Sequence, residues 1–111
     1  MGTTGTTRVN THIVVHMIEL SYIFERKSVS QKVRVRLSDV KQVRASESTA
    51  PWDISLTIVW GEEIAFDRPL AGADPLHAVK LAAQFAATYL HGRAQDEGGV
   101  LNPPIVPTQT P

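Results

Sequence analysis

One hundred and eleven residues make one domain of ordinary size, and 42% hydrophobic with 20% charged residues is globular composition. Eleven lysines and arginines balance eleven aspartates and glutamates, so no field of one sign draws in a polyanion or an anionic membrane. The chain has no cysteine, which excludes a disulfide framework, a thiolate nucleophile and cysteine-ligated zinc; its longest apolar runs are too short to span a bilayer, and it reads as cytosolic.

Residues 1–11, glycine and threonine with one arginine, lack the apolar run of a secretory signal and are expected to form a disordered tail. From His12 to Arg26 side chains alternate, with Val14, Ile18, Leu20, Tyr22 and Phe24 on one side and Glu19, Ser21 and Glu25 on the other. A period of two over β-branched and aromatic residues predicts a strand. Val29 to Asp39 repeats it, with Val33, Val35 and Leu37 opposed to Lys32, Arg34 and Arg36. The linker Glu25-Arg26-Lys27-Ser28 suits a hairpin that sets Phe24 against Val29, Leu20 against Val33 and Ile18 against Val35. That register places Glu19 opposite Arg34 and Ser21 opposite Lys32 on the other face.

Asp39 to Pro51 has no sustained period and is expected to be a long loop, a length that points to function or mobility. A third strand carries Trp52, Ile54, Leu56, Ile58 and Trp60 inward and Asp53, Ser55 and Thr57 outward. A short fourth strand carries Ile64 and Phe66 inward, which requires a three-residue turn over Gly61-Glu62-Glu63. Gly72-Ala73-Asp74-Pro75 then opens a helix over 73–91, with Asp74 as N-cap, Pro75 in the first turn and Gly92 as terminator. His77, Lys80, Gln84, Thr88 and His91 form one narrow polar stripe on it. The rest of its circumference is apolar, more than one sheet face covers, and this surplus predicts a second contact such as self-association through the helix. Residues 93–111, rich in proline and glycine, should form a flexible or extended tail, with Val100, Leu101, Ile105 and Val106 able to dock as a strap. The expected architecture is therefore α+β: a four-stranded antiparallel meander over residues 12–92 with one C-terminal helix packed on one face.

Catalytic chemistry finds little support. His12 and His16 lie about 13 Å apart on one strand, and His77 and His91 about 20 Å apart along the helix, so neither pair shares a metal. No nucleophile elbow, zinc-protease helix or phosphate-cradling glycine loop is present. Asp53, Glu62, Glu63 and Asp67 are acids beside a hairpin, where solvation is the ordinary fate. No catalytic residue, cofactor or metal is assigned. The best charged candidate is the row Lys32, Arg34 and Arg36, continued by Lys41 and Arg44 in the loop. A basic sheet face holds nucleic acid by neutralising phosphates, but acids on the neighbouring strands oppose this, and the face lacks aromatics on which bases stack.

The stretch Pro51 to Leu90, with Trp52, Gly72, Asp74, Ala78, Leu81 and Ala82, resembles a group of small bacterial proteins of unknown function that have a tryptophan-led strand, a short strand and a helix opened by Gly-x-Asp. The resemblance implies a bacterial or phage setting and the sheet-plus-helix fold, and it brings no activity. The leading expectation is a non-enzymatic protein-binding module, such as a small inhibitor, immunity or anti-defence protein, contacting its partner through the loop, the basic row and Lys80, Gln84 and Tyr89 of the helix. Nucleic-acid binding by the basic row is the alternative, and an enzyme ranks third.

Overall fold

The computed structural model describes residues 17–43 and 50–105. His12, His16, Arg44, Val106 and residues 1–11 lie outside them. The fold is α+β, an open antiparallel sheet with one helix on one face, but the sheet has five strands rather than four. In chain order these are β1 (Met17–Arg26), β2 (Val29–Gln42), β3 (Trp52–Trp60), β4 (Glu63–Gly72), α1 (Pro75–Asp96) and β5 (Val100–Asn102). The first four form the expected meander. The fifth returns past the helix to the far side of β1, giving the spatial order β4-β3-β2-β1-β5.

The alternating apolar residues share one inner face, as their period requires. Val33, Val35 and Leu37 of β2 and Ile54, Leu56, Ile58 and Trp60 of β3 are buried with Phe24 beneath α1. Phe24 and Trp60 meet at 5.1 Å between ring centroids, and the Trp60 Nε1 donates to Gln31 Oε1 at 3.1 Å, so the buried indole keeps its hydrogen bond.

Register departs from expectation in two places. The β1–β2 turn holds two residues, Lys27 and Ser28, with Lys27 in the left-handed region at φ 52°. Pairing is accordingly Leu20 with Val35, Ile18 with Leu37 and Phe24 with Gln31, which keeps every side chain on its expected face but slides each partner by two. Glu19 thus stands opposite Arg36, not Arg34, and Ser21 opposite Arg34, not Lys32. The β3–β4 turn is also two residues, Gly61 and Glu62, because Trp60 pairs with Glu63. An extra residue, Ala65, then sits between the pairs Val59 with Ile64 and Ile58 with Phe66. The two-residue turn sets Ile64 outward beside Val59, where it is 66% exposed, and the bulge brings Phe66 back inward.

The expected long loop is shorter than its composition implies. β2 continues through Asp39 to Gln42, past a register shift between Ser38 and Lys41 where Asp39 takes φ 55°. Val43 N donates to Pro51 O at 2.9 Å, and residues 44–49 of the expected loop lie outside the described residues.

At the helix start Asp74 Oδ1 accepts from His77 N at 2.9 Å, while the His77 Nδ1 accepts from Ala73 N at 2.8 Å, so side chains satisfy two backbone donors of the entry. Gly72 packs under this turn: a Cβ there would lie 2.4 Å from Ala78 N. The helix does not stop at Gly92. It runs on to Asp96, and the stop is made by Gly98 at φ 70°, with Gly99 N donating to Ala94 O at 3.0 Å. The stretch from Arg93, expected to be a flexible or extended tail able to dock as a strap, instead completes the helix to Asp96 and then docks on the edge of β1 as β5.

The candidate docking edge and groove

Which face of α1 meets the sheet decides the surface of the molecule. The buried stripe is Ala78, Ala82, Ala86, Leu90 and Ala94, spaced by four. Alanines therefore make most of its core contact, and the large apolar residues it leaves exposed are Leu76, 81% exposed, and Phe85, 36% exposed. The two flanks differ. Toward β4, Phe85 stacks on Phe66 at 4.5 Å and on Tyr89 at 6.5 Å, and Arg93 closes over the Trp60 ring at 4.5 Å. Arg93 also donates to Glu97 Oε2 at 2.6 Å, Glu63 Oε1 at 2.9 Å and the Tyr89 hydroxyl at 3.3 Å. Burial works against the charge of this guanidinium, but its hydrogen bonds to Glu97, Glu63 and Tyr89 outweigh burial and hold its pKa above the ordinary arginine value.

Toward β1 the helix presents Ala83, Ala86, Ala87 and Leu90, and a groove of about 140 Å³ remains between them and Leu20, Tyr22, Val35 and Leu37, with Ile105 also in its lining. Its lining is almost wholly apolar. Leu20 and Ile18 on this side are 45% and 48% exposed, and Met17 on the other face is 55% exposed. Neither Lys80 nor Gln84 lines this groove, and Tyr89 lies on the opposite flank with Phe85 and Arg93.

Beside the groove lies an unpaired strand edge. β5 pairs with β1 only at Ile23, Phe24 and Glu25, so among the described residues Met17–Tyr22 has a neighbour on one side only. The two-residue turn makes Arg26 and Val29 a hydrogen-bonded pair, and alternation then directs the backbone groups of Phe24, Tyr22, Leu20 and Ile18 to β2. Those of Met17, Glu19 and Ser21 point away, to the open side. Sheet edges are ordinarily blunted by charge, proline or a bulge. The other edge, β4, has all three: Asp67, Arg68, Pro69 and the bulge at Ala65. Met17–Tyr22 has no proline and no lysine, and its one charge, Glu19, is turned across the sheet to Arg36, whose Nε donates to Glu19 Oε1 at 2.8 Å.

The basic row is placed on the open face, as alternation predicts. Hydrogen bonding from Arg36 lowers the pKa of Glu19 from its ordinary value against a small opposing effect of burial, and the fields of Arg36, Arg34 and Lys32 add to the lowering. The Glu19 carboxylate is hydrogen-bonded to Arg36. Arg34 lies between Ser21 and Val59, with its Nε shielded from water and without a hydrogen-bond partner, while Lys41 stands opposite Asp53. Every aromatic ring of the described strands lies on the helix side, so this face has no platform for base stacking.

Among the described residues no group of three or more histidines, aspartates and glutamates is placed to hold a metal ion. No helix among them is long and apolar enough to cross a membrane. No family model, curated protein or solved structure matches the chain.

Proposed function

We propose that this protein is a protein-binding module that takes an extended segment of a partner polypeptide as an added strand on the free edge of β1, the partner's alternate side chains seating in the groove between β1 and α1. The observation that carries this reading is the contrast between the two sheet edges. β4 bears the devices that prevent strand addition, and Met17–Tyr22 lacks them while flanking apolar side chains that are about half exposed. Strand addition supplies affinity through the backbone of Met17, Glu19 and Ser21, and the groove supplies selectivity for apolar side chains at every second position. A small inhibitor, immunity or anti-defence role fits this mode of binding, since it needs a surface and no catalytic group.

Replacing Ser21 by proline removes a backbone donor on the open side while leaving the β1–β2 ladder intact, because Ser21 does not donate toward β2. A fluorescein-labelled peptide of alternating valine and threonine is expected to bind the wild type in a fluorescence-polarisation titration and to lose at least tenfold in affinity for the Ser21→Pro variant. Equal affinity in a variant of unchanged circular dichroism would overturn the assignment of the edge.

A further inference from the structure

The edge of β1 already takes a strand, and that strand is the chain's own. β5 is only Val100–Asn102, and of its side chains Leu101 alone is buried, against Phe24, while Val100 is 63% exposed. Two prolines, Pro103 and Pro104, follow immediately and have no amide hydrogen to give to the ladder, so β5 cannot continue along β1 toward Tyr22. The chain instead drops Ile105 into the end of the groove shared with Leu20 and Tyr22. Beneath this strap the packing is incomplete. A second cavity, of about 270 Å³, lies between it and the last turns of α1, lined by His91, Ala94, Gln95, Leu101 and Ile105. At its root are Gly98, at φ 70°, and Gly99, whose missing side chain lets the backbone pass the Phe24 ring where a Cβ would come within 2.5 Å. Adjacent glycines thus carry the chain from the helix end into a strand of three residues held by one buried side chain.

From this geometry we infer that β5 is a placeholder strand. The full docking surface is the whole edge Met17–Glu25, and a partner segment occupies it by displacing Val100–Asn102 and lifting Ile105 from the groove. The partner's chemistry follows from what it replaces. It is an extended segment free of proline at its donating positions, with an apolar side chain to take the place of Leu101 over Phe24 and further apolar side chains two and four positions along to fill the groove by Tyr22 and Leu20. A continuous strand satisfies the open backbone groups of Met17, Glu19 and Ser21 as well as those of Ile23 and Glu25, whereas β5 reaches only the last two. The prolines hold the chain's own strap short of full occupancy, so it shields part of an apolar edge yet yields to a longer strand.

This inference rests on the proposed strand addition, and one experiment separates the two. Ile23 and Asn102 stand directly opposite each other, at a spacing of about 5.5 Å between Cα atoms that suits a disulfide, and the natural chain has no other thiol. In the double variant Ile23→Cys, Asn102→Cys, oxidation pins the strap and reduction frees it. With the same valine–threonine peptide, the oxidised form is expected to bind at least tenfold more weakly than the reduced form of the same sample, while the wild type is indifferent to reductant. Equal, measurable affinity in both forms would overturn the placeholder and leave strand addition at Met17–Tyr22 standing. No binding by the wild type or by either form would overturn both.

Discussion

Gly92 lies inside α1, four residues before its end, and replacing it by alanine tests the observed helix directly. Glycine in a helix interior is less favourable than alanine by about 1 kcal/mol, because its unfolded chain has more conformations to lose. Nothing in the fold offsets this gain, since a Cβ at Gly92 meets no atom within 4 Å. Gly92→Ala is therefore expected to stabilise the protein by about 1 kcal/mol, which raises the melting temperature of a domain this size by about 4 to 8 °C. The urea midpoint should rise with an unchanged slope. Gly98→Ala gives the opposite sign: its φ of 70° suits glycine, and a Cβ there costs about 1 kcal/mol or more. A destabilised Gly92→Ala together with a neutral Gly98→Ala would refute the account, because that pattern belongs to a helix ending at Gly92 with the following residues outside the fold.

Three further outcomes follow from the same contacts. Glu19 has a lowered folded pKa, so its pairing with Arg36 contributes stability above the ordinary glutamate range and loses it as pH falls through the lowered value; Glu19→Gln should be less stable than wild type at neutral pH, with the gap closing in acid, and urea titrations from pH 7 to pH 2 check this. Asp74→Ala should cost about 1 kcal/mol by removing the acceptor of the His77 amide, and Asp74→Asn, which retains an acceptor, should cost much less in thermal melts. Arg93→Ala removes the cation over Trp60 together with its hydrogen bonds to Glu63 and Glu97, and should cost about 1 to 2 kcal/mol with a shift in tryptophan emission.

Much of the sheet is legible in the chain because period-two alternation over Val33 to Leu37 and Trp52 to Trp60 fixes which side chains face inward. Alternation is blind, however, to a slip of two, since every face survives it; only turn chemistry separates Leu20 opposite Val33 from Leu20 opposite Val35. Arg26-Lys27-Ser28-Val29 has no glycine or asparagine to announce a two-residue turn, and Lys27 takes the left-handed conformation without a sequence signal. The bulge at Ala65 is likewise silent, yet it alone returns Phe66 to the inner face after a two-residue turn has set Ile64 outward. The helix could be placed but not oriented. Apolar residues surround all but one stripe, so choosing the alanine row Ala78, Ala82, Ala86 as the buried side required the sheet. The candidate site was the least legible part. That β1 is a sheet edge follows from consecutive hairpins, but which edge is guarded depends on Pro69 and Arg68 belonging to β4, and a three-residue strand after Gly98-Gly99 carries no periodicity. A charged row such as Lys32, Arg34 and Arg36 draws attention first, and the pairing of its Arg36 with Glu19 depends on the register that alternation leaves open.

The most direct measurement is residue-resolved amide hydrogen exchange along β1, without and with the valine–threonine peptide. In the free protein Ile18, Leu20 and Tyr22 should be protected while Met17, Glu19 and Ser21 exchange rapidly, and addition of peptide should protect these three and disturb Ile23 and Glu25. Protection of Met17, Glu19 and Ser21 before any peptide is added, or their indifference to saturating peptide, would contradict the claim that this edge is an open docking site.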